Sequence, residues 1–216
     1  MSLDASLKHH YNRIAGTSHE RIAALSDGVF AIAMTLIVLE VKVPSHADIE
    51  TEAQLWQAML ELWPRLVTYL MSFLTLGIFW VGQQTQLNQY SHSDRKLSWF
   101  QLWFLSVVAV MPFSTEFLAE FITFRLALAL YWATIFMLGL TLYLSWNYAV
   151  KAKLVKDSVT PEIDKAVRHR IVRAQTLYAI AAATAAVHTH VAIALIVAIQ
   201  LNYAIAKGRW LQKLLG

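Results

Sequence analysis

"RIAALSDGVFAIAMTLIVLEVKV", Arg21 to Val43, is long and apolar enough to cross a bilayer, yet it carries an Asp-Gly pair at residues 27 and 28. A membrane-spanning helix needs about 20 mostly apolar residues. Just before the stretch, "TSHE" fits a helix-capping box in which Thr17 is the N-cap and Glu20 follows three residues later. Pro44 directly after the stretch should end the helix. We therefore predict a first membrane span over about residues 20–43.

The composition of the whole chain also indicates a membrane protein. Of its 216 residues 57% are hydrophobic and only 15% are charged, whereas soluble domains average about 25% charged residues. The chain has no cysteine, which excludes disulfides, thiolate nucleophiles and cysteine metal sites. The fold class predicted is an all-α polytopic membrane protein with a single domain over residues 1–216. A soluble helical bundle is the disfavoured alternative.

Five further apolar stretches predict a total of six transmembrane helices. Pro112 lies inside the third span and predicts a kink there. The apolar run from 174 to 206 is interrupted at His188-Thr189-His190, so we interpret it as a tight hairpin of two short spans, the first of which extends back into the basic segment. The predicted spans are approximately 20–43, 62–83, 97–118, 126–150, 166–187 and 190–206.

The distribution of basic residues predicts the orientation. Six spans place both termini on one side of the membrane, and that side holds all but three of the eighteen Lys and Arg residues. The exceptions are Lys42, Arg65 and Arg125. Because cytoplasmic loops are enriched in Lys and Arg, we predict a protein of the cell membrane with cytoplasmic N- and C-termini. The net charge of +4 then reflects topology, and nucleic acid is excluded as a partner.

The first span has one continuous face. At about 100° per residue, six residues fall on it: Gly28, Ile32, Thr35, Leu36, Leu39 and Val43. Asp27 points away from this face, about 9 Å along the axis from Arg21. We expect a neighbouring helix to hold Asp27 through a hydrogen bond or ion pair. An interfacial position without a role and a proton or ion site are the alternatives.

These residues carry a resemblance. Arg21, Leu25, Ser26, Asp27, Ile32, Thr35, Leu36 and Leu39 match, in register, the first-helix signature of the prokaryotic transmembrane protein 175 family of potassium channels. Leu25 stands where the family usually has Phe. The chain resembles the family more loosely at Phe79-Trp80 in the second helix and at "MPFSTEFL", 111–118, in the third.

The resemblance implies a homotetramer whose four first helices line a central pore for potassium ions and other monovalent cations. Ile32, Leu36 and Leu39 would project into the pore as apolar rings, with Ile32 as the constriction and Thr35 beside it. Arg21, Ser26 and Asp27 would form a structural polar network at the cytoplasmic end; a place in the pore vestibule is the alternative for Arg21. No cofactor is implied, and the lipid bilayer is the remaining partner.

One departure from the family concerns titration. Relatives often carry a His pair shortly after the Phe-Trp of the second helix, where this chain has Gln83 and Gln84. Glutamine can keep hydrogen bonds to the first helix but cannot titrate. We therefore expect no pH response to originate at these two positions, whereas the pore itself is unaffected.

The sequence also bears on other classes of function. It contains no HExxH, GxSxG, P-loop or dinucleotide motif and no TVGYG filter, so we expect no enzyme. His188-x-His190 is too small a set for a metal site. A secondary transporter would carry interrupted helices at matching positions of two halves, and nothing like "SDGVFAIAMTL" recurs in the second half. A transporter and a non-conducting membrane scaffold remain the alternatives to a channel.

Overall fold

The computed structural model describes residues 18–45 and 49–205. In this part of the chain seven α-helices are joined by short loops and two 3-10 turns. The helices are α1 (His19–Leu36), α2 (Glu52–Glu61), α3 (Trp63–Leu87), α4 (Arg95–Glu120), α5 (Arg125–Lys151), α6 (Pro161–Ala183) and α7 (Thr189–Ile205). A 3-10 turn, Ile37–Glu40, extends α1, and a second, Thr184–Ala186, follows α6.

Helix α1 begins and ends differently from the prediction. Its N-cap is Ser18, whose hydroxyl accepts the backbone N–H of Arg21 at 3.3 Å; the predicted cap, Thr17, lies outside the described residues. The helical segment ends at Glu40 rather than at Val43, because Pro44 disfavours helical geometry in the residue before it. The Arg65 guanidinium donates to the Glu40 carbonyl at 3.2 Å, which satisfies an acceptor at this helix end.

Helix α3 continues to Leu87, four residues beyond the predicted limit at Gln83. The sequence after Gln83 is polar, and the predicted span ends there for that reason. Three glutamines at this end of α3, Gln83, Gln84 and Gln86, donate to acceptors on other helices. Because these amides are paired, the polar residues remain helical instead of ending the span.

Helices α4 and α5 begin and end within two residues of the predicted limits and form the most extensive helix pair in the described chain. Asp94 caps α4 by accepting the backbone N–H of Leu97 at 2.7 Å, and its other oxygen accepts the Tyr148 hydroxyl at 2.5 Å. One carboxylate thus joins the start of α4 to the end of α5. Pro112 lies inside α4, where neighbouring helices can satisfy the carbonyl that it frees.

The apolar run near the C-terminus is divided, as its sequence indicates. Helix α6 and its 3-10 turn end at Ala186, and α7 starts at Thr189 and packs against α6. The turn comes just before His188. Helix α7 is described to Ile205, so the predicted limit at 206 lies outside the described residues.

Among residues 18–45 and 49–205, four helices are long and apolar enough to cross a membrane: α1 with its 3-10 turn, α3, α4 and α5. Helix α7 is apolar but has only 17 residues, or roughly 25 Å at 1.5 Å per residue. Helix α6 is long enough, but its first half is basic. Helix α2 has ten residues, none of them buried. Four spans therefore follow from length and composition.

Candidate functional site

The stripe predicted on the first helix is exposed in the single subunit. Ile32 is 61% exposed, Leu36 44% and Leu39 67%, and Gly28 and Thr35 are exposed as well. The opposite face packs inward through Ser26, Phe30, Ala33 and Ile37, all of them buried. Since α1 is the least buried of the four membrane-length helices, its apolar stripe lacks a protein partner within the described subunit.

The hydroxyl of Thr35 is oriented by its own helix. It donates to the carbonyl oxygens of Ala31 and Ile32, both at 2.9 Å. A hydroxyl has one proton and two lone pairs, so these bonds use the donor and leave the acceptor side free. Thr35 is exposed on the Ile32 face. The group that it offers to an approaching ion is therefore an oxygen lone pair, which suits a cation.

Asp27 is bound by the second long helix. The indole N–H of Trp80 and the amide of Gln84 both donate to its Oδ1 at 2.8 Å. Both donors lie on α3, one turn apart. The carboxylate is exposed on one side and neutral donors satisfy the other, so an acidic residue is accommodated near the start of a membrane-length helix.

Ser26, the neighbour of Asp27, begins a buried hydrogen-bond chain that crosses the subunit. Its hydroxyl donates to Gln83 Oε1. Gln83 Nε2 donates to Gln101 Oε1 at 2.8 Å, and Gln101 Nε2 donates to Ser145 Oγ at 2.7 Å. All four side chains are buried. The chain thus links α1 to α3, α4 and α5 in turn.

The second half of the hydrogen-bond chain runs in the same direction. Because Ser145 accepts from Gln101, its own proton is available for the Tyr90 hydroxyl, 3.3 Å away. Tyr90 donates to Gln86 Oε1, and Gln86 Nε2 donates to the carbonyl of Leu142, both at 3.3 Å. Every group donates forward, so each amide is fixed in one orientation.

The hydrogen-bond chain is neutral throughout. Amides and aliphatic hydroxyls do not titrate in the physiological range. Burial raises the pKa of the Tyr90 hydroxyl, which lies in the loop after α3, above its ordinary value. Gln83 and Gln84 thus form hydrogen bonds with the adjacent residues Ser26 and Asp27 of α1 and contribute no titrating group.

Of the three residues predicted to form a polar network, two form hydrogen bonds with side chains of α3. Ser26 and Asp27 bind neighbouring side chains there. Arg21 does not join them: it is exposed, and the bond that it forms runs from its backbone N–H to Ser18. Sequence analysis missed Gln101, Ser145 and Tyr90 as members. The available signal was the isolated Gln101 within the apolar "LSWFQLWFLSV".

Within residues 18–45 and 49–205, no three His, Cys, Asp or Glu side chains meet in a way that could hold a metal ion. The arrangement around α1 contains an exposed apolar stripe, a hydroxyl oxygen and a set of polar side chains that join α1 to α3. Such groups can bind, exclude or pass an ion, but they do not form the nucleophile and base pair of an enzyme site.

Comparison with known proteins connects this arrangement to a family of channels. The family model described as the endosomal/lysosomal potassium channel TMEM175 matches residues 21–112, which include α1, α3 and most of α4. A potassium channel of Streptomyces collinus is 41% identical over 102 residues, 47% of this chain and 48% of that protein. A potassium channel of Chamaesiphon minutus is 35% identical over 135 residues, 61% of this chain and 66% of that protein.

A solved structure extends the likeness beyond the first three long helices. The crystal structure of a lysosomal potassium-selective channel TMEM175 homolog from Chamaesiphon minutus has a TM-score of 0.76 and 27% identity. The match covers 87% of this chain and 96% of that chain. The matches to the two curated relatives, by contrast, span about half and about two thirds of their lengths.

The fold defines a multi-pass helical membrane protein whose sequence and structure are similar to those of ion channels. The resemblance seen in the sequence of the first helix is confirmed: over residues 21–112 this chain matches the TMEM175 family model, and it is similar to bacterial potassium channels in sequence and in fold.

Proposed function

We propose that the chain forms a passive cation channel that favours potassium, assembled as a homotetramer around four copies of α1. The observation that carries the proposal is the exposed stripe of Ile32, Leu36 and Leu39 on the least buried long helix. A stripe that packed within its own subunit would be covered by another helix. The names of the bacterial relatives, both potassium channels, support the choice of ion.

The three apolar residues would act as successive rings along the pore. Apolar constrictions can gate by dewetting, and a narrow pore can favour the ion that loses its hydration water at lower cost. Ile32 is the proposed constriction. The free lone pairs of Thr35, one turn above it, would face the partly dehydrated ion. No TVGYG filter occurs in the sequence, so selectivity would depend on pore width and on this oxygen.

The polar groups at the start of α1 would hold the helix in place rather than contact the ion. Ser26 and Asp27 are both bound by side chains of α3, and Ser26 is linked onward to α4 and α5. Asp27 would be a structural anchor, which is the first of the interpretations given by the sequence. Arg21 is exposed, and a place in the cytoplasmic vestibule suits it better than membership of this network.

The membrane topology belongs to the same proposal. We take α6 and α7 as the fifth and sixth spans, in addition to the four helices of sufficient length and hydropathy. The basic half of α6 would lie at the cytoplasmic surface, where long Arg and Lys side chains reach the headgroups. Both termini would then be cytoplasmic in the cell membrane, in agreement with the positions of the Lys and Arg residues.

A flux assay tests the proposal. Purified protein is reconstituted into vesicles loaded with potassium, and the efflux and membrane potential are followed with sodium or an impermeant cation outside. We expect rapid potassium efflux that polarises the vesicles negative inside, from a particle with the mass of four chains. A slow saturable flux would support the transporter alternative, and a tetramer without flux would support the scaffold.

A further inference from the structure

A crevice of about 230 Å³ lies between α3 and α6, on the opposite side of α3 from Asp27 and the exposed stripe of α1. Leu142 of α5 lies at its back, and Tyr203 of α7 also borders it. Most of its wall is apolar: Ile78, Phe79, Gly82, Val167, Ile171 and Ala174. A crevice of this composition accepts a hydrocarbon chain rather than a soluble polar ligand.

One end of the crevice is positively charged. Arg170 borders it and is exposed, and within the described residues its guanidinium has no ion pair or hydrogen bond. Arg173, one turn further along α6, is also exposed, and both arginines interact electrostatically with Tyr203 at the crevice wall. By the distribution of Lys and Arg, this end faces the cytoplasm. The crevice therefore joins an apolar interior to an unpaired cation at the level of the headgroups.

Two residues of the crevice lining carry polar atoms that have no partner within the described chain. Tyr178 is 1% exposed and its hydroxyl is unpaired, and the Oε1 of Gln175 is buried and unpaired as well. Both atoms are enclosed by protein, so the chemistry that the crevice offers to a ligand depends on its apolar wall and on Arg170.

We propose that the crevice binds one anionic phospholipid of the cytoplasmic leaflet per subunit, with an acyl chain between α3 and α6 and the phosphate at Arg170. Basic pockets between membrane helices on the cytoplasmic side are suited to anionic headgroups. The bilayer supplies such lipids at high local concentration. The proposal depends on the membrane orientation and not on conduction, so a lipid result and a current result can fail independently.

The site is connected to the pore helix through α3. Gln86 borders the crevice and is also the last side chain of the hydrogen-bond chain that starts at Ser26. Gly82 borders the crevice next to Gln83, the residue that binds Ser26. A lipid in the crevice would therefore contact the same helix turn that holds α1.

The retention of lipid by the purified protein tests the proposal directly. Full-length protein is reconstituted in bilayers of equal parts phosphatidylglycerol and phosphatidylcholine, extracted in mild detergent, and analysed by native mass spectrometry. The wild type should retain phosphatidylglycerol in preference to phosphatidylcholine, at up to one molecule per subunit. Arg170→Gln should lower phosphatidylglycerol retention about fivefold, the effect of one basic residue at a headgroup. Ala174→Trp, which fills the crevice, should abolish retention of both lipids.

Two matched variants on α6 serve as controls. Lys165→Gln removes a charge, and Val172→Trp adds bulk, at exposed positions that do not border the crevice; both should retain lipid as the wild type does. The proposal is overturned if Arg170→Gln and Ala174→Trp retain phosphatidylglycerol normally, or if the wild type retains both lipids equally. Competition by inorganic phosphate would also overturn it, because a phosphate site would then not require the acyl chain.

Discussion

The indole N–H of Trp80 donates to the carboxylate of Asp27 over 2.8 Å and so joins the first helix to the second long helix. A second donor, Gln84, reaches the same oxygen. These two hydrogen bonds explain how an Asp is accommodated inside an apolar helix. Two neutral donors of α3 hold the Asp27 side chain in place.

Removing the Asp27 carboxylate should destabilise the subunit. Asp27→Ala loses two interhelical hydrogen bonds, each worth about 0.6 kcal/mol on average in membrane proteins, so we predict a loss of about 1–2 kcal/mol in the free energy of unfolding. Asp27→Asn keeps an acceptor oxygen and should lose less. Unfolding in mixed micelles measures both, with Asp157→Ala, in an exposed loop, as the control. Equal stability of Asp27→Ala and the control would refute the anchor.

Breaking the hydrogen-bond chain at its centre should have a larger effect. Gln101→Leu leaves the amide of Gln83 without an acceptor and removes the donor to Ser145. Unsatisfied buried polar groups cost about 1–3 kcal/mol, so we predict a loss of stability in that range by the same unfolding assay. Gln57→Leu on the exposed face of α2 should have little effect.

A double-mutant cycle then tests whether the chain acts as a unit. Residues within one hydrogen-bond network do not contribute additively. Ser26→Ala combined with Gln101→Leu should cost less than the two single changes together, because either change already disturbs the Gln83 amide between them. Strict additivity would mean that the bonds are independent.

Thr35 should affect ion discrimination through its oxygen alone. Thr35→Val keeps the side-chain shape and removes the lone pairs that the structure leaves free, whereas Thr35→Ser keeps them. We predict that Thr35→Val lowers the potassium-to-sodium permeability ratio by up to about fivefold, the equivalent of one modest polar contact, and that Thr35→Ser stays near the wild type. Reversal potentials under bi-ionic conditions provide the measurement. A wild-type ratio in Thr35→Val would exclude the hydroxyl from selectivity.

Features that depend on one helix could be predicted from the sequence. The spacing of Ile32, Leu36 and Leu39 assigns them to one face with Asp27 directed away from it, and the structure has the same arrangement. The break near His188 also follows from the sequence, because a polar pair interrupts an otherwise apolar run. Helical periodicity is a local property, so a single sequence is enough for these features.

Features that depend on two helices could not be predicted in this way. The partners of Ser26 and Gln101 lie on other helices, between 18 and 57 residues away in the chain. Periodicity gives the face of a helix but not the helix that covers it. The predicted end of α3 was wrong for the same reason. Its glutamines are typical of a turn, and their acceptors lie on other helices that the sequence does not identify. The assignment of the α1 stripe to a pore depended on the family resemblance, because an apolar stripe usually packs against another helix.

Single-channel recording in planar bilayers, with potassium on one side and sodium on the other, tests the central claim most directly. Wild-type protein should give discrete current steps with a reversal potential shifted toward potassium. Ile32→Asn should raise the unit conductance and reduce that shift, because a polar ring at the constriction relieves dewetting. Val38→Asn, an exposed position on the same segment away from the stripe, should retain wild-type behaviour. Steps whose size and selectivity are the same in the wild type, Ile32→Asn and Val38→Asn would contradict a pore lined by α1 with Ile32 at its narrowest point.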